Sequence, residues 1–232
     1  NDCTIRKYNS SGSFLDIFAG ASDVPYLTDS SHFNGPYGIA VDSSGNIYLS
    51  TNRGYRVLKL NASGTAQWTA GAAGVWGNDN THFGAFWEGP NNVAVDASGN
   101  VYVADTGNHR IQIYNGSGSY VVTLGSYGSG NYQFDMPDGV AIDSSGNIYV
   151  ADSGNHRVQI YNSSRVYQAT LGMTGVSGSD NAHFNYPYGV AVDSNGNIYV
   201  ADGENHRVQI FNSSRAYVRT LGTTSQWGDD FT

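Results

Sequence analysis

YVADTGNHRIQIYN at residues 102–115 is followed by YVADSGNHRVQIYN at 149–162 and YVADGENHRVQIFN at 199–212. Three near-identical lines in one chain mark an internal repeat, and a repeat has to be placed before any single motif is interpreted. Upstream of each runs a second recurring line: GIAVDSSGNIYLS from Gly38, NVAVDASGNVYVA from Asn92, GVAIDSSGNIYVA from Gly139 and GVAVDSNGNIYVA from Gly189. Apolar and β-branched residues alternate on both sides of a central Asp-Ser-Ser-Gly-Asn, which predicts two short strands joined by a tight turn. Downstream, HRIQIYNGSGSYVVTLG from His109 has relatives at His156 and His206, a degenerate YRVLKLNASGTAQWTAG from Tyr55, and CTIRKYNSSGSFLDIFAG from Cys3. This is a second hairpin, built around an Asn/Ser/Gly turn.

Two hairpins make a four-stranded antiparallel sheet, and Asp42, Asp96, Asp143 and Asp193 recur at spacings of 47 to 54 residues. Four strands at a period of roughly 40 to 50 residues are the signature of a β-propeller blade. The spacing predicts an all-β chain, one domain over 1–232, with repeats at about 38–71, 92–125, 139–172 and 189–222. No segment sustains a 3.6-residue apolar period, so essentially no helix is expected. The linkers share an aromatic residue followed by Pro or Gly, and Phe33, Phe83, Phe134 and Phe184 are expected to wedge between sheets at the crossings. Residues 1–20 supply only a second hairpin, and 223–232, with Phe231 at the linker position, precede a first hairpin that does not follow. The count is about four and a half four-stranded antiparallel blades, with the N-terminal half-blade left for completion by another chain or by missing sequence.

GVAVDSNGNIYVADGENHRVQIFNSS resembles the NHL repeat, named for an Asn-His-Leu-type triplet that stands here as Asn-His-Arg: Asn108, His109, Arg110; Asn155, His156, Arg157; Asn205, His206, Arg207. The likeness runs from about Ile5 to Gly222. It implies a propeller used mainly as a binding platform. The first unit departs from it, with Arg53, Gly54 and Tyr55 at the triplet.

Composition narrows the function classes. The chain has 30 Gly and 17 Tyr, is 13% charged, and carries a formal charge of −8. Such a field repels phosphate backbones, so no nucleic acid is expected as partner. Cys3 is the single cysteine, which leaves neither an internal disulfide nor a paired-thiol or zinc-finger spacing. No apolar run is long enough for a membrane span.

All six histidines sit at repeat positions, His32, His82 and His183 before the linker Phe and the others in the triplet. Repetition in successive blades favours a packing or turn-bonding role over a catalytic or metal site, which needs one asymmetric constellation. Asp105 with Arg110, Asp152 with Arg157 and Asp202 with Arg207 each flank a turn and are expected to form buried or half-buried bridges. No catalytic residue, cofactor or metal is assigned. GNDN from Gly77 and GSDN from Gly178 offer oxygen ligands but follow no EF-hand pattern and are taken as loop turns.

Asn-x-Ser triplets begin at Asn9, Asn61, Asn115, Asn162 and Asn212, all in the same turn of the second hairpin. Two readings stand: a turn that uses Asn for its local hydrogen bonds, and an N-glycosylation acceptor, which places the chain outside the cell or on its surface. The expected function is a non-catalytic extracellular scaffold whose partners are other copies of itself, joined head to tail through blade completion into a fibre or array, or other proteins. The alternatives are a propeller lyase or hydrolase resembling peptide-amidating lyases, and a ligand-binding sensor or adhesion domain of a larger protein.

Overall fold

The computed structural model describes residues 4–19, 33–85 and 88–222. Cys3, His32 and Phe231 lie outside them. The strands fall into five sheets. The first has two strands, β1 (Ile5–Tyr8) and β2 (Phe14–Ala19). The second runs β3 (Pro36–Val41), β4 (Ile47–Thr51), β5 (Arg56–Leu60) and β6 (Ala66–Ala70). The third holds β7 (Asn92–Val95), β8 (Val101–Asp105), β9 (Arg110–Tyr114) and β10 (Tyr120–Leu124). The fourth holds β11 (Pro137–Ile142), β12 (Ile148–Asp152), β13 (Arg157–Tyr161) and β14 (Tyr167–Gly172). The fifth holds β15 (Pro187–Val192), β16 (Ile198–Asp202), β17 (Arg207–Phe211) and β18 (Tyr217–Leu221).

Within each four-stranded sheet the strands are neighbours in chain order. The result is four antiparallel meanders in a propeller arrangement. Backbone contacts divide the chain into two compact units, Asn1–Thr123 and Leu124–Thr232, where the sequence alone reads as one domain. In the first unit the inner strand β3 packs on the next inner strand β7, and in the second β11 packs on β15.

Period-two alternation explains the cores. Residues of one strand face adjacent sheets alternately, so the second strands sit deep: β4, β8 and β12 have no residue outside the buried class, while β16 leaves Ala201 exposed. In the second unit Tyr149, Val158, Ile160 and Leu171 of the fourth sheet meet Ile198, Val200 and Phe211 of the fifth around Phe184. The first unit repeats this around Phe83, with Tyr48 and Val57 against Val93, Val101, Val103 and Tyr114. A separate cluster joins Ile5 of β1 and Phe33 to Ile47, Leu49, Leu58 and Leu60, which seats the two-stranded sheet on the second. Phe83, Phe134 and Phe184 each lie over the Gly that ends the preceding repeat. A Cβ on Gly71 or Gly172 would come within 2.7 Å of the Phe83 or Phe184 ring, and both glycines have positive φ, so a side chain there is excluded twice.

Among the described residues there is no α-helix, and helical structure is confined to three single turns. Each full triplet lies on one turn of 3-10 helix: Thr106–Asn108, Ser153–Asn155 and Gly203–Asn205. A three-residue turn is too short to leave an apolar period, which is why hydrophobic patterning did not register it.

Candidate functional site

The strand ladder brings the triplet's chemistry together. Asp105 is the last residue of β8 and pairs in register with Arg110, the first of β9; Asp152 pairs likewise with Arg157 and Asp202 with Arg207. Between them the 3-10 turn closes with the histidine in left-handed geometry, φ 55° at His109, 54° at His156 and 52° at His206. Its N–H bonds the carbonyl at the start of the turn. Histidine is among the residues that tolerate this region, and Tyr55 occupies it in the first unit with φ 53°.

Arg110 Nε donates to Asp105 Oδ2 at 2.7 Å, as do Arg157 to Asp152 and Arg207 to Asp202. The aspartates are fully buried and the arginines nearly so. Each guanidinium then reaches into the crossing that enters its own sheet. Arg110 donates to the carbonyls of Asn78, Asp79 and His82, Arg157 to those of Ser129, Gly130 and Gln133, and Arg207 to those of Ser179, Asp180 and His183. The triplet asparagine bridges as well: Asn108 Nδ2 donates to Asp105 and to the Gly77 carbonyl, Asn155 to Asp152 and Gly128, Asn205 to Asp202 and Gly178. The second aspartate oxygen takes a backbone N–H of the crossing, from Gly84, Asp135 or Asn185, at 2.6 to 2.7 Å. Burial pushes the Asp152 carboxyl up, against the pull of the Asp135 N–H and of Arg157. A carboxylate so enclosed has its acceptor positions filled by protein, and the arrangement clamps a loop.

Two further members were missed in the sequence. Gln112, Gln159 and Gln209 are fully buried and bond both the aspartate and the crossing carbonyls of His82, Gln133 and His183. Tyr114 and Tyr161 hydroxyls donate to the Gln112 and Gln159 oxygens. The signal was present: a Gln recurring at one position of an otherwise apolar strand cannot be buried without partners. In the first repeat Thr51, Gly54, Leu58 and Leu60 replace Asp, Asn, Gln and Tyr, Tyr55 and Arg56 hold the His and Arg places, so that the triplet is Gly54-Tyr55-Arg56 and lies one residue on from the sequence reading, and Leu58 and Leu60 join the apolar cluster with Ile5 and Phe33.

The remaining histidines differ in role. His82 Nδ1 bonds Asp79 and His183 Nδ1 bonds Asp180, inside the crossings. Thr81 and His82 hold the Asp79 carboxyl below its usual range, and His183 does the same for Asp180. These are the residues of GNDN and GSDN, and their oxygens serve the loop and the arginine below it. His156 Nδ1 accepts the Tyr186 N–H at 3.2 Å, and burial lowers its basicity. Among the described residues no group of three or more His, Cys, Asp or Glu is placed to hold a metal, and no helix is long and apolar enough to cross a membrane.

The Asn-x-Ser turns form a second repeated set, between β1 and β2, β5 and β6, β9 and β10, β13 and β14, and β17 and β18. In each, the asparagine Oδ1 accepts the N–H groups two and four residues on, at 2.8 to 3.1 Å. Among the described residues none donates a hydrogen bond to, or accepts one from, these five Nδ2 atoms.

The NHL repeat model matches residues 88–114, 134–161 and 184–211, the three stretches that end in the complete clamp. The chain carries three NHL repeats. The NHL repeat-containing protein 3 of Homo sapiens is 31% identical over 114 residues, 48% of this chain and 31% of that protein, so the matched stretch spans about a third of its curated relative. Among solved structures, a gluconolactonase of Xanthomonas campestris is similar at a TM-score of 0.63 and 14% identity, covering 97% of this chain and 70% of that one. A chain of a nidogen–laminin complex is similar at a TM-score of 0.61 and 19% identity, covering 82% and 64%. At these identities the likeness is one of propeller fold.

Proposed function

We propose that this NHL-repeat chain is a non-catalytic extracellular scaffold that carries N-linked glycans on its Asn-x-Ser turns. The observation that carries the reading is the geometry of those turns. Oδ1 is spent on the backbone, which fixes the side chain, while Nδ2, the atom a glycan would modify, points away from those bonds. Five copies of the acceptor on one kind of turn would decorate one end of each sheet. The NHL clamps fit the same reading, because their polar groups are committed to holding crossings.

Self-assembly belongs to this proposal. Among the described residues the β1–β2 sheet has two strands where the others have four, and strands added from another copy would complete a blade. Donor and acceptor surfaces then differ, so the contact is heterologous and propagates into a ring or a filament.

One pair of variants separates the acceptor from the plain turn. Asn162 and Asn212 cap their turns through the backbone N–H of Ser164 and Ser214, with no bond to the serine hydroxyls. Ser164→Ala and Ser214→Ala therefore keep the turn and remove the acceptor triplet. In a secreting eukaryotic host, each substitution is expected to remove one glycan's mass with the melting temperature shifted by less than about 1 °C, in keeping with the small effect of surface changes. An unchanged mass in both variants would leave only the turn.

A further inference from the structure

One position of the outer strands separates the two units. In the first, Trp68 of β6 reaches across to the turn that follows β9 in the next sheet. Its ring lies against Tyr48, 6.2 Å between centroids, and its indole N–H donates to the Gly116 carbonyl at 3.1 Å. Lys59, paired in register with Trp68, points its ammonium at the same carbonyl, 3.4 Å away, and lies 5.2 Å from the centre of the Tyr48 ring. One carbonyl thus takes two donors, one of them charged.

The second unit builds the same frame from other residues. Tyr149 stands for Tyr48 and Ile160, in register with it, for Lys59; Ala169, in register with Ile160, stands for Trp68. The receiving turn is unchanged. Asn212 accepts the N–H groups of Ser214 and Ala216 as Asn115 accepts those of Ser117 and Ser119, so Ser213 puts its carbonyl where Gly116 has it. Among the described residues no group donates to that carbonyl. A cleft of about 320 Å³ is left between the fourth and fifth sheets, with Tyr149, Ile160, Ile198, Ser213 and Arg215 in its wall. The positive charge has moved from Lys59 to Arg215, which takes the place of Gly118 and has no ion-pair partner among the described residues. Burial and Asp143 push the Tyr149 hydroxyl up and Arg215 opposes them, which sets its charge at the cleft.

We propose that this cleft binds a small planar aromatic acid with a ring N–H, an indole carboxylate being the simplest member of the class. The site goes beyond the scaffold role and does not depend on it. Its volume lies at the lower end of the roughly 300–1,000 Å³ of small-molecule sites, which suits one fused ring. The ring lies on Tyr149, Ile160 and Ile198, its N–H meets the Ser213 carbonyl, and its carboxylate pairs with Arg215. The pose of Trp68 is not repeated, because a Cβ on Gly118 would stand 2.8 Å from that indole and Arg215 carries one. The ring is set back against the arginine, where an aromatic face and a guanidinium attract each other.

The test titrates indole-3-acetate into the full chain by calorimetry, and saturable binding of one molecule per chain is expected. Ala169→Trp with Arg215→Gly rebuilds the filling of the first unit and is expected to abolish binding in a protein that melts no lower than the parent. Arg215→Gln changes an exposed side chain and tests the charge by itself. The parent is expected to prefer indole-3-acetate to indole by about fivefold, in keeping with an exposed ion pair, and the variant to lose that preference. Methylation of the ring nitrogen is expected to weaken binding by about fivefold, the worth of one hydrogen bond. Absence of binding, binding that survives the double variant, or an affinity for the acid that Arg215→Gln leaves as it was overturns the site. A methylated acid that binds as well as the unmethylated one overturns the part given to Ser213.

Discussion

Asp152 and Arg157 show what one residue pair decides. A buried ion pair is weak support for stability in itself, because desolvation offsets much of the attraction. The first repeat forms its hairpin without the pair: Thr51 stands at the aspartate's place, in register with Arg56, which is 3% exposed. What the pair does is position a crossing, by turning a guanidinium onto three specific carbonyls and a hydroxyl. Removing one partner is another matter. Asp152→Ala leaves Arg157, 2% exposed, without its counter-charge and is expected to cost about 3–5 kcal/mol, measured by urea unfolding. His156 supplies a pH dependence whose sign follows from its geometry. Its Nδ1 accepts the Tyr186 N–H, and burial lowers its proton affinity, against the opposing pull of Asp135 and Asp202. Below the ordinary histidine value of about 6.5 the unfolded chain therefore binds more protons than the folded one, and stability falls as the pH drops through that window. His156→Asn, which tolerates the left-handed geometry, is expected to flatten the slope in unfolding series between about pH 5 and 7. The Asp–Arg pairing was legible in the sequence because both residues recur at a fixed distance across a turn. The glutamine and the crossing carbonyls were not, since a carbonyl leaves no mark in a residue code and a single Gln reads as the polar half of an alternating strand.

At the scale of the strand and turn, the repeats differ by compensating changes. In the first unit Trp68 reaches from β6 to the neighbouring turn, where its indole N–H donates to the Gly116 carbonyl and its ring stands 2.8 Å from where a Cβ on Gly118 would be. In the second unit the equivalent residues are Ala169 and Arg215. A cleft of about 320 Å³ opens there, lined by Asp143, Tyr149, Ile160, Gln168 and Arg215 among others. Arg215 has φ 67° where Gly12, Gly64 and Gly118 hold the same turn position, a geometry that costs a non-glycine residue on the order of 1 kcal/mol. The double variant Ala169→Trp with Arg215→Gly is expected to fill the cleft and relax the turn. A gain of about 1–2 kcal/mol, or roughly 2–8 °C in melting temperature for a chain of this size, should be visible by calorimetry, with Ala169→Trp alone giving less. The strands and hairpins were legible because two-residue alternation is a long signal. The cleft was not, because a Trp-to-Ala exchange between distant repeats has meaning only once the turns are neighbours.

For the molecule as a whole, the repeat is what makes the fold readable: within each unit neighbouring sheets bury a shared face, so one pattern copied along the chain specifies the architecture. The count of four full sheets and one of two strands came from the sequence. The exposure of Ile39 and Val41 did not, since Val93 and Val95, which match them nearly letter by letter, pack in a core. The division into two units at Thr123 and Leu124 has no compositional mark either. The proposed function turns at this scale on the five asparagine turns. The most direct measurement is the intact mass of the native protein before and after chemical deglycosylation, with peptide mapping of Asn9, Asn61, Asn115, Asn162 and Asn212. The account predicts excess mass that is lost on treatment and maps to those turns; the mass of the bare chain, unchanged by treatment, would contradict it.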